Sequence, residues 1–324
     1  MNTLEETKTK EKSCCGPECC SDETTDTAVL ENPVVGVAGL ASKFTNNLNT
    51  DLTKEKSEEE LKQIVKEQYS QIALQSKEQN ESSCCGSTST CCGDNTTYTI
   101  MADEYKNLKG YNPDADLGLG CGLPTEFAKI KAGDTVVDLG SGAGNDCFVA
   151  RAETGDTGRV IGIDMTPAMV DKAKANAAKL GFSNVEFHLA EIEKMPLADN
   201  TADVVVSNCV MNLIPNKVNA FREVYRITKP GGHFSISDIV LTGELPLKMK
   251  TAATMYAGCV SGAVQKDEYL NIVKNAGFKN ITIQKEKLIT IPDQILLDYM
   301  TIEEAKQFIR SGSGIYSITV YAEK

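Results

Sequence analysis

Apolar residues along this chain fall into two regimes, and the border between them lies near Asp134. Beyond it, short β-branched runs alternate with stretches whose apolar positions recur at helical spacing. The runs are TVVDLG, RVIGID, NVEFHL, ADVVVSN and HFSISDI, each of strand length and bounded by turn or polar residues. Helices are predicted between them over 144–154, 167–180 and 215–228, the second stopped by Gly181. Pro230-Gly231-Gly232 reads as the turn into HFSISDI. After a helical interlude near 246–276, ITIQKEKLI and GIYSITVYAE supply two late strands. Alternation of this kind predicts an α/β fold: a Rossmann-like, doubly wound, seven-stranded sheet with one antiparallel strand.

Before the border the pattern is weaker. Residues 1–57 lack sustained periodicity, are rich in Thr, Asn, Glu and Lys, and carry the CCGPECC knot of Cys14, Cys15, Cys19 and Cys20; a disordered, acidic, Cys-rich extension is expected. Leu61, Ile64, Val65 and Ile72 then recur at helical spacing over 58–78. The Ser/Thr/Gly-rich loop ESSCCGSTSTCCGDN follows, and 98–132 passes irregularly through LGLGCGLP. Four regions result: the extension 1–57, a helix with Cys-rich lid loops over 58–132, the sheet core 133–242, and a C-terminal substrate-binding region 243–324.

The 324 residues carry a net charge of −12, which argues against nucleic acid as a partner because phosphate neutralisation needs a basic face. Residues 1–60 hold 13 Asp or Glu against 6 Lys. The run AVLENPVVGVAGLA is interrupted at Glu31, Asn32 and Pro33 and is too short to cross a bilayer. With no membrane span and no secretory signal in view, a cytoplasmic, monomeric protein is expected. Twelve cysteines are then a surplus, and clusters of them point to metal, metalloid or redox chemistry. The two histidines, His188 and His233, read as ordinary packing or surface residues.

The segment VVDLGSGAGND predicts a ligand cradle at the end of the first strand. Gly140, Ser141, Gly142 and Gly144 let the backbone turn tightly beneath a ligand. GxGxG is weak alone, but acids stand at three strand ends. Asp138 precedes the loop and suits an ammonium or the loop amides. Asp164, next to Met165, is placed to grip a ribose diol, and Glu191, next to Ile192, to reach an adenine edge. Asn145 stands where a dinucleotide fingerprint has its third glycine. Acids facing a cationic ligand without a pyrophosphate favour S-adenosyl-L-methionine.

Asn208 and Cys209 end the fourth strand at the same rim, since ligands of open parallel sheets bind beyond the carboxyl ends of the strands. Cys121 and Cys259 lie among small residues, in LGLGCGLP and YAGCVSGA, whereas Cys147 beside Phe148 reads as a buried packing residue. Vicinal pairs such as Cys84-Cys85 and Cys91-Cys92 suit neither a disulfide nor a tetrahedral zinc site. Soft thiolates do suit a thiophilic ion of low coordination number.

From about Val65 onward the chain resembles the microbial arsenite S-adenosylmethionine methyltransferases. The stretches that carry the resemblance are VKEQYSQIA, SSCCG, LGLGCGLP, VVDLGSGAGNDCF, VIGIDMT, NVEFHLAEIEKMP, VVVSNCVMNLIPNK, ITKPGG and YAGCVSGA. The resemblance implies a class I methyltransferase fold and methylation of trivalent arsenic. It implies that Cys209 and Cys259 hold arsenic throughout, with Cys121 as a third ligand. Cys84 or Cys85 would be a fourth participant, able to form a disulfide that supplies reducing equivalents, restored by a thiol reductant of the glutathione or thioredoxin type. The doubled loop departs from the family pattern, so which pair acts, 84/85 or 91/92, stays open. Two other readings remain: a small-molecule C-, O- or N-methyltransferase with incidental cysteines, and a non-catalytic metalloid-binding protein.

Overall fold

The computed structural model describes residues 57–74, 105–244, 262–289 and 300–324. The expected extension over 1–57, the vicinal pairs Cys84-Cys85 and Cys91-Cys92, and Cys259 lie outside the described residues, Ser57 excepted.

Seven strands form one sheet: β1 (Thr135–Leu139), β2 (Arg159–Asp164), β3 (Val185–Leu189), β4 (Ala202–Asn208), β5 (Thr228–Thr242), β6 (Lys279–Leu288) and β7 (Gly314–Glu323). Their order is β3-β2-β1-β4-β5-β7-β6, with β7 antiparallel to both neighbours and the ladders from β3 to β5 parallel. The order reverses between β1 and β4, and there the carboxyl ends of both strands open a crevice.

The central strands are apolar on both faces because helices cover both. Successive side chains of β1 point to opposite sides, so Val136 joins Phe148, Met169 and Val204 in one core. Val137 joins Ile161, Val205, Phe221 and Phe234 in the other. The first core is closed by α3 (Asn145–Thr154) and α4 (Pro167–Leu180), the second by α5 (Lys217–Ile227) and α6 (Lys266–Asn275). The second of these helices ends as Gly181 predicts: it takes φ 69° and its N–H donates to the carbonyls of Ala177 and Ala178.

Ahead of the core stand α1 (Glu58–Leu74) and the short α2 (Pro124–Phe127). A capping box starts α1: Ser57 N–H donates to Glu60 Oε2 at 2.8 Å, and Glu60 N–H donates to Ser57 Oγ at 3.3 Å.

Two features depart from the sequence reading. Pro230-Gly231-Gly232 is not a turn ahead of a strand but lies within β5. The β4 ladder steps there from Ala202↔Thr228 to Val204↔His233, so the extra residues bulge, with Gly231 at φ 79°. A further helix, α7 (Ile302–Ser311), was not predicted. It carries its own capping box, Thr301 with Glu304, in TIEEAKQFIR, a signal present in the sequence.

Candidate functional site: the crevice at the ends of the first and fourth strands

The chain leaves β1 through Gly140, whose φ of 66° a side chain rarely adopts. Its N–H donates to the Ile163 carbonyl at 2.7 Å, and a Cβ there would collide with the Val210 side chain. Gly142 is different. It also has positive φ, 50°, but a Cβ would meet nothing within 4 Å, so the backbone borders open space. A Cβ on Gly144 would press on the Phe148 and Phe187 rings, which makes this third glycine a packing requirement.

That open space is a cavity of about 1090 Å³ including its mouth, and most of the predicted cofactor residues line it. Asp138, Gly140, Ser141 and Gly142 come from the end of β1. Asp164 and Met165 come from the end of β2, Glu191 and Ile192 from beyond β3, and Asn208 and Cys209 from the end of β4. Ser141 Oγ is buried and has no hydrogen-bond partner among the described residues. Asp164 accepts from Gly142 N–H at 3.0 Å and from Thr166 N–H at 2.8 Å, so it braces the loop while still facing the cavity. Burial pushes its pKa up, and those backbone bonds oppose the shift.

Asp138 is 2% exposed, and Cys147 Sγ–H donates to it at 3.2 Å. Burial and the nearby Asp146 drive its pKa well above the usual carboxylate value. Cys147 is thus buried as expected, yet it also serves a carboxylate. Glu191 is held differently: Lys62 and Lys66 of α1 reach its two oxygens at 2.9 and 3.1 Å. Lys62 also meets Glu193 at 2.7 Å. With Val65 and Tyr69 also lining the cavity, α1 borders the crevice on the Glu191 side.

Cys209 stands just past β4 in the left-handed region, φ 62°, which costs a residue with a side chain of order 1 kcal/mol. Its N–H donates to the Ser237 carbonyl at 2.8 Å. The thiol is buried in an apolar cluster with Cys121, Ile239, Leu241 and Ile315. Cys121 reaches that cluster because its loop packs backbone against strand. A Cβ on Gly120 would lie 2.6 Å from Asn208 Nδ2, and one on Gly122 2.6 Å from Ser237 Oγ. Asn208 Oδ1 accepts from the N–H groups of Cys121 and Gly122 at 3.0 and 3.2 Å, and its Nδ2 donates to the Gly122 carbonyl at 2.8 Å. Ser317 of β7 donates to the Cys121 carbonyl at 2.6 Å.

Three residues of the crevice escaped the sequence reading. Lys62 looked like an ordinary charge on an amphipathic helix. Tyr105 lies in an irregular stretch, and Asp146 follows the glycine loop as one more acid at a helix start. All three line the cavity.

A doubly wound sheet with β7 reversed, a glycine loop at the switch point and acids at three strand ends together define a class I S-adenosylmethionine-dependent methyltransferase fold. Residues 130–277 match a family model described as a methyltransferase domain. An arsenite methyltransferase of Halobacterium salinarum is 41% identical over 249 residues, 74% of this chain and 62% of that protein. The human arsenite methyltransferase is 36% identical over 148 residues, 43% of this chain and 40% of that one. This chain therefore spans less than two thirds of the length of either curated relative. The crystal structure of an arsenic(III) S-adenosylmethionine methyltransferase from Chlamydomonas reinhardtii superposes with a TM-score of 0.53 at 33% identity, covering 63% of this chain and 67% of that one. The chain belongs to the arsenite S-adenosylmethionine methyltransferase family. Among the described residues no helix is long and apolar enough to cross a membrane.

Proposed function

We propose that this protein transfers the methyl group of S-adenosyl-L-methionine to trivalent arsenic held by its thiolates, converting arsenite to methylated arsenicals. The observation that carries the reading is the meeting of Cys121 and Cys209 in one buried cluster beside the acid-lined cavity. A C-, O- or N-methyltransferase has no need for two thiols brought together by a dedicated asparagine clamp.

The residues present fit the cofactor. Gly142 leaves room for it, Ser141 Oγ has no partner among the described residues, and acids of the cavity suit its positive charges. Asp164 would accept from the ribose hydroxyls, Asp138 is near enough to the loop to favour the ammonium, and Glu191 with Ile192 would border the adenine. Bound there, the cofactor supplies an electrophilic methyl group on a cationic sulfur.

Arsenite binds by exchanging hydroxide for thiolate; each thiol proton leaves with an arsenic hydroxyl as water. Cys209, Cys121 and Cys259 are the proposed ligands. Gly262 packs against the Asn212 backbone, only three residues along the chain from Cys259. Once bound, the arsenic lone pair carries no proton, so the transfer needs no general base, and positioning contributes up to about 7–11 kcal/mol in favourable intramolecular cases. The lone pair forms the arsenic–carbon bond as the carbon–sulfur bond breaks. Arsenic is thereby oxidised by two electrons, and Cys121 with Cys84 or Cys85 returns them as these two thiols close to a disulfide. A thiol reductant of the glutathione or thioredoxin type then reopens it. The cytoplasm is the compartment that suits such thiols, and a monomer suits the acidic, polar surface.

Incubating the purified chain with arsenite, S-adenosylmethionine and a thiol reductant should yield methylated arsenic by mass spectrometry. No product from a chain with the cofactor demonstrably bound would overturn the assignment.

A further inference from the structure

The steps above leave Asp146, a half-buried acid of the cavity, without a role. Asp146 sits in the first turn of α3, directly after the glycine loop, where the helix N-terminus favours an anion. Tyr105 Oη–H donates to its Oδ2 at 2.8 Å, Thr125 Oγ1–H to its Oδ1 at 3.4 Å, and Asn208 Nδ2–H to its Oδ2 at 3.4 Å. These three donors are neutral. Among the described residues the basic group lining the cavity is Lys62, and Glu191 and Glu193 engage it. A half-buried carboxylate with neutral donors and no cation lacks a charge partner, so a cationic ligand is the natural complement.

Its position says which cation. The Asn208 amide that touches Asp146 also donates to Tyr105 and to the Gly122 carbonyl, and its oxygen holds the Cys121 loop. Cys209 follows Asn208 directly. Asp146 therefore stands at the arsenic end of the cavity, whereas Asp164 and Glu191 lie at the ends of β2 and β3, where the nucleoside is proposed. The methyl donor must bring its reactive sulfur to the arsenic end.

We propose that Asp146 faces the sulfonium of the methyl donor and discriminates this charged cofactor from its neutral, demethylated product. The assignment rests on the cofactor reading given above. It makes Asp146 a specificity-determining residue. On transfer the positive charge leaves the sulfur for arsenic, and the product alone no longer pairs with the carboxylate. Burial pushes the Asp146 pKa up to about 6, against the pull of its hydrogen-bond donors.

Calorimetric titration of the full, reduced chain with S-adenosylmethionine and with S-adenosylhomocysteine, without arsenite, tests this. Asp146→Asn should weaken binding of the charged ligand by about tenfold or more, the scale of one partly screened charge pair, while the neutral ligand changes by less than about twofold. Asp146→Ser is the second variant should the first not fold. Tyr105→Phe, which keeps the carboxylate, should shift both affinities alike and preserve their ratio. Equal losses for both ligands in the Asp146 variants, or no loss, overturn the proposal and leave Asp146 a structural acid. A wild-type chain that binds neither ligand overturns the cofactor reading itself, and with it this assignment.

Discussion

The side-chain amide of Asn208 binds the backbone of Cys121 across 87 residues of sequence, its Oδ1 accepting the Cys121 N–H at 3.0 Å. The residue after Asn208 is Cys209, so one strand end both presents one thiol and clamps the loop that carries another. Asn208→Ala should cost about 1–3 kcal/mol of stability, since it leaves the Cys121 and Gly122 amides and the Gly122 carbonyl without these partners. Arsenite affinity, measured by equilibrium dialysis with elemental detection, should fall with it. Unchanged arsenite binding would show that the clamp is dispensable.

The strained backbone at Cys209 separates the cost of conformation from the role of the thiol. Cys209→Gly and Cys209→Ala both remove sulfur, but only glycine tolerates φ 62° freely. The glycine variant should be the more stable of the two by more than about 0.4–1 kcal/mol, the reverse of the usual order, as read by chemical denaturation. An alanine variant more stable than the glycine one would contradict the left-handed geometry.

Replacing the proposed ligands singly by serine, as Cys121→Ser, Cys209→Ser or Cys259→Ser, should abolish arsenic methylation and leave S-adenosylmethionine binding within about twofold, because the thiols are not assigned cofactor contacts. Full turnover in the Cys209 or Cys259 variant would rule that residue out as a ligand.

Asp164→Ala should raise the cofactor dissociation constant by about tenfold to a hundredfold, the loss expected of a charge-assisted hydrogen bond to a hydroxyl, and leave arsenite binding intact. The variant also loses the brace on Gly142, so a lowered melting temperature should accompany it. Undiminished cofactor affinity would remove Asp164 from the ribose site.

Docking of α1 over the crevice should depend on pH and on two lysines. Hydrogen bonds from Lys62, opposed by burial, hold Glu191 below its usual pKa. Burial works against the Lys62 ammonium, yet its bonds to Glu193 and Glu191 raise its pKa above the usual lysine value. The Glu191 contribution is therefore present above the unfolded carboxylate value near about 4.3 and is lost as pH falls through the lower folded one. The Lys62 contribution is present below about 10.4 and is lost as pH rises further. The Lys66–Glu191 pair, about a third exposed on both sides, contributes about 1 kcal/mol or less. Hydrogen exchange at pH 7 should accelerate over 58–74 in a Lys62→Gln, Lys66→Gln variant, and in the wild type below pH 4 after correction for intrinsic rates. Exchange that is unchanged in both cases would mean that apolar contacts alone hold the helix.

Local pattern was enough for the strands. β1, β2 and β4 are continuous apolar runs because helices cover both their faces, and Gly181 marks the end of α4 by its own backbone freedom. The Thr301–Glu304 capping box was equally legible and was passed over. The bulge at Gly231 was read as a turn, because glycine after proline signals either, and only the ladder to β4 decides between them. Glu191 is a case of another kind. Its place after the third strand follows from sequence order, whereas its pairing with Lys62 and Lys66 depends on where a helix more than a hundred residues earlier comes to rest.

By itself, then, the sequence determined the element order, the parallel sheet, the acid at each strand end and the cysteines on offer, because periodicity, turn chemistry and residue type are local properties. Tertiary structure alone decided that Cys121 joins Cys209, that Asn208 is the residue joining them, and that Asp146 lines the same cavity as Cys209. Those relations depend on segments far apart in the chain meeting at the reversal of strand order, where packing rather than spacing determines which side chains touch.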